Sequence, residues 1–186
     1  MSSLLADWAV NCTWEGDNTV LAQQTARYLM KCLRHLNRGK PIHGFETYLL
    51  DTKKVLQVAK FQGTNDDLLK PEAHFEIMKR LTTRILIRVG TRLVQAQKEK
   101  GKTDGWNECM MDLVFAAKVH CDFYVVHCFA QTVKNIPESN NGIKKMLQKL
   151  YTLRALWTLD NYFGHLLEDG FMDGTHTEFV RSEVHF

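Results

Sequence analysis

The chain has 186 residues, which by the prior of ~150 residues per domain allows one domain plus part of another. Apolar residues make up 45% and charged residues 24%, so a sizeable core can be buried and disorder is not expected. The net charge of +3 is too small to indicate, by itself, binding to nucleic acid or to a membrane surface. Only three prolines occur, which favours long helices over a turn-rich β fold.

The five cysteines are widely spaced and form no CxxC pair. A reduced intracellular protein accounts for them most simply. The first ten residues carry no basic region and include Asp7, so they do not resemble a secretory signal. No apolar run approaches the ~20 residues that a membrane span requires, so we expect a soluble chain without one.

The first helical pattern covers residues 19–36, where apolar side chains recur at three- and four-residue steps. Residues 17–19 are all good N-cap types and stand at its start. Glycine and proline break the pattern over residues 37–44. A short helical piece is predicted at residues 45–59.

Longer helices follow. Pro71 suits a first helical turn, and the pattern predicts a helix from there to about residue 98. Further helices are predicted at residues 106–135 and 139–167, and a last one begins at residue 175. With no convincing alternating strand, the fold class is all-α, a helical bundle.

One stretch differs from a plain bundle: a carboxylate and a glycine, Glu15 and Gly16, directly precede the capping residues of a helix. Gly16 would let the backbone turn sharply or approach a ligand, and the helix start offers free N–H groups. Trp14 could shield Glu15 from water, raise its pKa and make it a base. An ordinary helix start is the commoner role of such a string, and local physics leaves both open.

The segment CTWEGDNTVLAQQTARYLMK, residues 12–31, closely resembles the part of peroxisomal acyl-CoA oxidases that carries the catalytic Glu. The tryptophan before the Glu looks most like fungal members. Residues 106–126 and 147–172 are similar to the family's C-terminal helical domain. The resemblance implies two parts: residues 1–38 from the flavin-side helical domain, and residues 39–186 from the C-terminal acyl-CoA oxidase domain, truncated at its end.

The resemblance also implies a reaction. Glu15 would remove the α-proton of a fatty acyl-CoA, and FAD would take the β-hydrogen as hydride. Oxygen would then reoxidise the flavin and give hydrogen peroxide, with trans-2-enoyl-CoA as product. By position in the motif, Gly16, Asp17 and Thr19 would approach the cofactor, with Asp17 favouring a hydroxyl over a phosphate. No metal is implied, and the full-length protein would be a peroxisomal homodimer.

Several parts of the family pattern are missing from these 186 residues, including the barrel domain and the glycine-rich segment before the motif. The last residues, 183–186, do not form a Ser-Lys-Leu-type address. We therefore expect a fragment that is inactive alone. The alternative function is a non-catalytic helical dimerisation or interaction module derived from such an oxidase.

Three further patterns have competing interpretations. Two His-Cys pairs seven residues apart could bind a metal, but core positions fit them better. An arginine every four residues could meet acidic side chains, a phosphate-bearing ligand or nucleic acid, but a solvated or ion-paired helix face is the preferred interpretation and no nucleic acid is expected. His165 and Glu168 are treated as surface or capping polarity. The residues are His120, Cys121, His127 and Cys128, then Arg80, Arg84, Arg88 and Arg92.

Overall fold

A computed structural model describes residues 2–10 and 16–185, and within them every regular element is a helix. The predicted all-α class is confirmed. The α-helices are α1 Ser2–Val10, α2 Asn18–Asn37, α3 Thr52–Gln57, α4 Pro71–Lys100, α5 Lys102–Glu108, α6 Met110–Lys134, α7 Asn141–Leu167 and α8 Gly174–His185. Short 3₁₀ helices lie at Gly44–Asp51, Asp66–Leu69 and Glu138–Asn140.

The helices predicted at residues 19–36, 71–98 and 139–167 are confirmed as α2, α4 and α7. The single helix predicted at residues 106–135 is wrong, because α5 and α6 are separated at Cys109. The short piece at residues 45–59 is a 3₁₀ helix followed by α3.

Helix α5 packs directly against the end of α4. A Cβ added at Gly105 would lie 2.6 Å from the backbone nitrogen of Gln97. Gly101, with φ of +84°, lies between those two helices in a conformation that glycine adopts readily. The regular helix then ends at Cys109, whose φ is −90° and ψ is 4°, before α6 begins at Met110. The spacing of apolar residues in the sequence indicates neither of these features.

The chain divides into two compact units, whose boundaries fall within the 3₁₀ helix Gly44–Asp51, α4 and α6. One unit comprises residues 1–46 and 85–119, and the other residues 47–84 and 120–186. The predicted division between residues 38 and 39 follows the chain rather than these units and stays a prediction.

In the first unit, α2 and α4 approach closely. A Cβ added at Gly90 of α4 would lie 3.0 Å from Cδ1 of Leu33 on α2, so the glycine permits the approach. Leu29, Met30 and Leu33 of α2 are buried on this side of the helix. Burial of each such side chain contributes roughly 1.5–3 kcal/mol relative to exposure.

The second unit contains a buried histidine, His74, with both ring nitrogens in hydrogen bonds. Nε2 lies 2.6 Å from the carbonyl oxygen of Leu68, and Nδ1 lies 3.0 Å from the hydroxyl of Tyr151. Since a carbonyl can only accept, Nε2 carries the proton, and the neutral ring accepts from Tyr151 through Nδ1. Burial lowers the pKa of His74 to about 4.

Three of the four arginines spaced every four residues on α4 are ion-paired, as the preferred interpretation predicted. Arg80 is buried, bonds to Asp169 at 2.9 Å and stacks over the Phe171 ring. Arg84 lies 3.1 Å from the same carboxylate. Arg92 pairs with Asp112. Arg88 also has an interaction partner.

Among the described residues, one helix, α6, is long and apolar enough to cross a membrane by length and composition alone. Core helices of soluble proteins meet the same criterion, so this is weak evidence for a span. Leu113, Ala117 and Phe123 of α6 are buried in the protein.

Neutral His74 makes stability depend on pH. Its pKa is lower in the folded state than the ordinary 6.5, so its contribution is complete above pH 6.5 and is lost as the pH falls from 6.5 towards 4. The loss should reach roughly 3 kcal/mol. Urea unfolding at pH 7, 5.5 and 4.5 should show a smaller decrease for His74→Gln than for the parent chain. The matched change at exposed His43, His43→Gln, should keep the parental slope, and equal slopes for all three proteins would disprove the role of His74.

Asp169 is the shared partner of two arginines, one of them buried. Asp169→Asn should lower the free energy of unfolding by about 2 kcal/mol, because Arg80 stays buried without its counter-charge. The exposed pair Arg92–Asp112 provides the control, and Asp112→Asn should change stability by less than about 1 kcal/mol. Chemical denaturation at neutral pH measures both, and equal losses would contradict the proposed difference in burial.

Candidate functional site

The predicted catalytic base, Glu15, lies outside the residues that the structure describes, as does Cys12. The described part of the motif begins at Gly16, immediately before α2. Gly16 has φ of +101°, a conformation that glycine adopts readily and other residues rarely do. No described atom lies within 4 Å of the position that a Cβ would take.

Asp17 is the N-cap of α2. Its Oδ1 accepts hydrogen bonds from the backbone N–H groups of Thr19 at 2.8 Å and Val20 at 3.3 Å. Its carbonyl oxygen accepts from the N–H of Leu21 at 3.0 Å. The predicted capping role is therefore confirmed, with Asp17 as the residue that fills it.

The cap also sets the charge at the start of α2. The hydrogen bond from the backbone of Thr19 is the main reason that the pKa of Asp17 lies below its ordinary value, with smaller contributions from the Thr19 side chain and Val20. The carboxylate is thus ionised at neutral pH and occupies the donors that a phosphate would need.

Side-chain contacts in the first unit hold α2 in place beyond its first turns. The guanidinium of Arg27 lies over the Trp106 ring at 5.7 Å, and the hydroxyl of Tyr28 donates to Glu46 at 3.2 Å. Burial raises the pKa of Tyr28 to about 12, so the hydroxyl remains a donor across the physiological range. Sequence periodicity placed Tyr28 on α2 but gave no sign of Glu46, eighteen residues away.

Apolar side chains lie exposed on the two helices that flank the motif. Sequence patterns did not predict α1, because its apolar residues follow no clear period. The exposed large apolar residues are Leu4, Leu5 and Val10 on α1, and Val20, Leu21 and Tyr28 on α2. Such a surface is typical of a segment that another protein surface covers.

For the two His-Cys pairs, only part of the core interpretation is correct. His120 is buried, with Nδ1 3.0 Å from the hydroxyl of Tyr48, and His127 packs against Phe75. Cys121 is exposed, so its predicted core position is wrong: it lies on the outer face of α6. Within residues 2–10 and 16–185, no three His, Cys, Asp or Glu side chains are placed to hold a metal.

His165 and Glu168 pair with each other at 3.2 Å, and Arg84 also bonds to Glu168, as expected for surface polarity. A cavity of about 590 Å³ in the second unit has apolar walls that include Phe75, Phe123 and Val126. It contains none of the predicted site residues.

Comparison with known families supports what the motif indicated. A family model described as acyl-CoA oxidase matches residues 70–185, which is more than half of the chain. A second model, described as the C-alpha1 domain of acyl-CoA oxidase, matches residues 1–30 and so includes the motif.

Individual relatives and solved structures point to the same family. Peroxisomal acyl-coenzyme A oxidase 1 of the guinea pig, Cavia porcellus, is 33% identical over 179 residues, covering 93% of this chain and 26% of the relative. The crystal structure of an acyl-CoA oxidase from tomato, Lycopersicon esculentum, matches with a TM-score of 0.83 and 30% identity over 93% of this chain and 26% of that one.

A third structure, acyl-CoA oxidase-1 of Caenorhabditis elegans complexed with FAD and ATP, has a TM-score of 0.79 at 24% identity, covering 94% of this chain and 26% of that one. It supports the fold. The chain thus spans about a quarter of the length of the relatives that it matches. With a family model over most of its length and the predicted resemblance confirmed, the chain belongs to the acyl-CoA oxidase family.

Proposed function

We propose that this chain is part of an FAD-dependent acyl-CoA oxidase that converts fatty acyl-CoA to trans-2-enoyl-CoA and passes the electrons to oxygen, giving hydrogen peroxide. The reaction is the oxidative step of fatty acid β-oxidation. The supporting observation is the family match at both ends of the chain, which includes the segment with Glu15. The relatives' names place them in peroxisomes, and we propose the same location here.

Glu15 is the proposed base. The α-hydrogen of a thioester is a weak acid, so a base must be held close to it and the thioester carbonyl must be polarised. The cap on α2 fixes the start of that helix, because Asp17 accepts hydrogen bonds from the backbone N–H groups of Thr19 and Val20. The Glu15 carboxylate, two residues before this cap, would therefore be attached to a rigid helix start.

Gly16, Asp17 and Thr19 are the proposed cofactor-side residues. FAD, when bound, supplies hydride acceptance and electron transfer to oxygen. Gly16 leaves space for close approach, and the ionised Asp17 can accept a hydrogen bond from a hydroxyl through its second oxygen. The same charge would repel a pyrophosphate, so the fit is to an uncharged part of the cofactor.

A homodimer is proposed for the full-length protein, and inactivity is proposed for the 186 residues alone. The relatives are about four times longer than this chain, and the flavin and substrate sites would need that additional length.

The role of Glu15 can be tested in a chimera in which this chain replaces the matching quarter of the tomato oxidase. Glu15→Gln should lower kcat about 10³-fold with palmitoyl-CoA while flavin absorbance is retained, because general-base catalysis contributes 10²–10⁴-fold. The control is Glu178→Gln at an exposed position of α8, which should keep the parental rate. A Glu15→Gln chimera with the parental rate would rule out the base.

The chain alone should be colourless after purification and should form no peroxide from palmitoyl-CoA. Absorbance near 450 nm and a peroxide assay give the answer directly. Bound flavin with turnover that Glu15→Gln abolishes would overturn the inactivity and support the base at the same time.

A second candidate is a non-catalytic helical interaction module derived from such an oxidase. The exposed apolar side chains of α1 and α7 favour it. Peroxide formation by the chimera described above, lost on Glu15→Gln, would argue against this candidate.

A further inference from the structure

The outer face of α7 carries an unusual row of apolar side chains. Five large residues recur at steps of three and four, the spacing that places side chains on one helix face. Each is between 45% and 61% exposed. We call this row the α7 stripe; it consists of Ile143, Met146, Leu150, Leu153 and Trp157.

The stripe is separate from the core face of the same helix. Tyr151, Ala155, Leu159 and Phe163 of α7 are buried inside the second unit. The helix is therefore apolar on two faces, and only one of them is covered by the protein. A surface helix whose single purpose was to pack on this core would need one apolar face.

The dimensions of the stripe suit a partner helix. Its first and last residues are fourteen apart, which corresponds to about 21 Å along the axis. The spacing of three and four is that of the seam in a helix pair. A groove of about 500 Å³ adjoins it, and Leu69, Leu153 and Leu156 contribute to its lining. Such a groove can receive a side chain from a helix lying along α7.

The charge beside the stripe restricts the partner. Between Asn141 and Leu159, α7 contains Lys144, Lys145, Lys149 and Arg154 and no acidic residue. Lys144 pairs with Glu138 and Arg154 with Asp122. Lys145 and Lys149 are exposed and line the same groove, where Glu183 is the one acidic side chain among the described lining residues. The rim of the stripe is therefore basic.

A second copy of this chain does not fit that rim well. Parallel pairing along the stripe would place Lys149 beside Arg154 of the other copy. Antiparallel pairing centred on Leu150 would bring the two Lys149 side chains together. Like charges at these positions oppose pairing, and no acidic side chain flanks the stripe on α7 to compensate.

We propose that the α7 stripe is a docking surface for an amphipathic helix with acidic flanks. Leu150 and its stripe neighbours would bury the apolar face of that helix, and Lys145 and Lys149 would meet its carboxylates. The acidic flanks provide the specificity for this partner, because the apolar seam alone would bind any amphipathic helix. This surface does not depend on the oxidase reaction, so neither proposal fails with the other.

The test uses the 186-residue chain and two synthetic 21-residue helical peptides. Both have leucine and isoleucine at the seam positions; one has glutamate at the flanking positions and the other has lysine. The like charges on each peptide oppose its pairing with itself. Fluorescence anisotropy of the labelled acidic peptide should show at least about tenfold tighter binding than the basic one, and the difference should decrease with salt.

Two variants of the chain connect binding to the stripe. Leu150→Glu should weaken binding of the acidic peptide at least about tenfold. Met111→Glu is the matched control, since Met111 is 77% exposed on α6, and should leave binding unchanged. The double change Lys145→Glu with Lys149→Glu should reverse the preference and favour the basic peptide. Circular dichroism checks that each variant keeps its helices, and the double change still tests the stripe if Leu150→Glu unfolds.

Each other outcome overturns the proposal. Equal binding of both peptides, or binding that survives the double change, would remove the charge argument. A dimer in sedimentation that Leu150→Glu dissociates would identify a second copy as the occupant. Binding to phosphatidylcholine–phosphatidylserine vesicles, lost on Leu150→Glu and without peptide binding, would identify a membrane surface.

Discussion

The rest of the structure depends on keeping one long face of α4 out of water. Its buried apolar residues extend over most of its 30 residues and belong to both compact units. Each buried side chain of this size contributes roughly 1.5–3 kcal/mol. Of the polar side chains on α4, Arg80, Arg84 and His74 make ion pairs or hydrogen bonds. The buried hydroxyls of Thr82 and Thr83 have no hydrogen-bond partner among the described residues. The buried residues are Ile77, Met78, Leu81, Ile85, Leu86, Val89, Leu93 and Ala96.

Helix positions were largely predictable because burial on one face leaves a period in the sequence. The boundaries of α2 and α4 follow from that period, from Asp17 as a cap and from Pro71 in the first turn. The packing of α5 against the end of α4 was not predictable, because the contact of Gly105 with Gln97 depends on how the chain folds back. Cys121 shows the same limit: neighbours in sequence indicated the core, but its side chain points outward.

The candidate site also has features that local sequence patterns predicted and features that they did not. The sequence predicted the cap, since a carboxylate before a helix has a local physical role, and the structure assigns that role to Asp17. The role of Glu15 cannot follow from local physics, because a base is defined by the substrate and cofactor that face it. It depended on resemblance, and the family match now supports that resemblance. The contacts of Tyr28 and Arg27 join distant parts of the sequence and could only be found from the fold.

The hydrogen bonds of His74 have a spectroscopic consequence. Two labile protons, one on the imidazole and one on the Tyr151 hydroxyl, lie in buried hydrogen bonds of 2.6 and 3.0 Å. Protons held in this way exchange slowly with solvent, because exchange requires local opening of the packed unit. They should give separate downfield proton resonances in the NMR spectrum, well away from the backbone amides. The Tyr151 signal would report directly on whether α4 and α7 remain packed together, because its hydrogen bond joins these two helices, and the imidazole signal would report on the contact of α4 with Leu68.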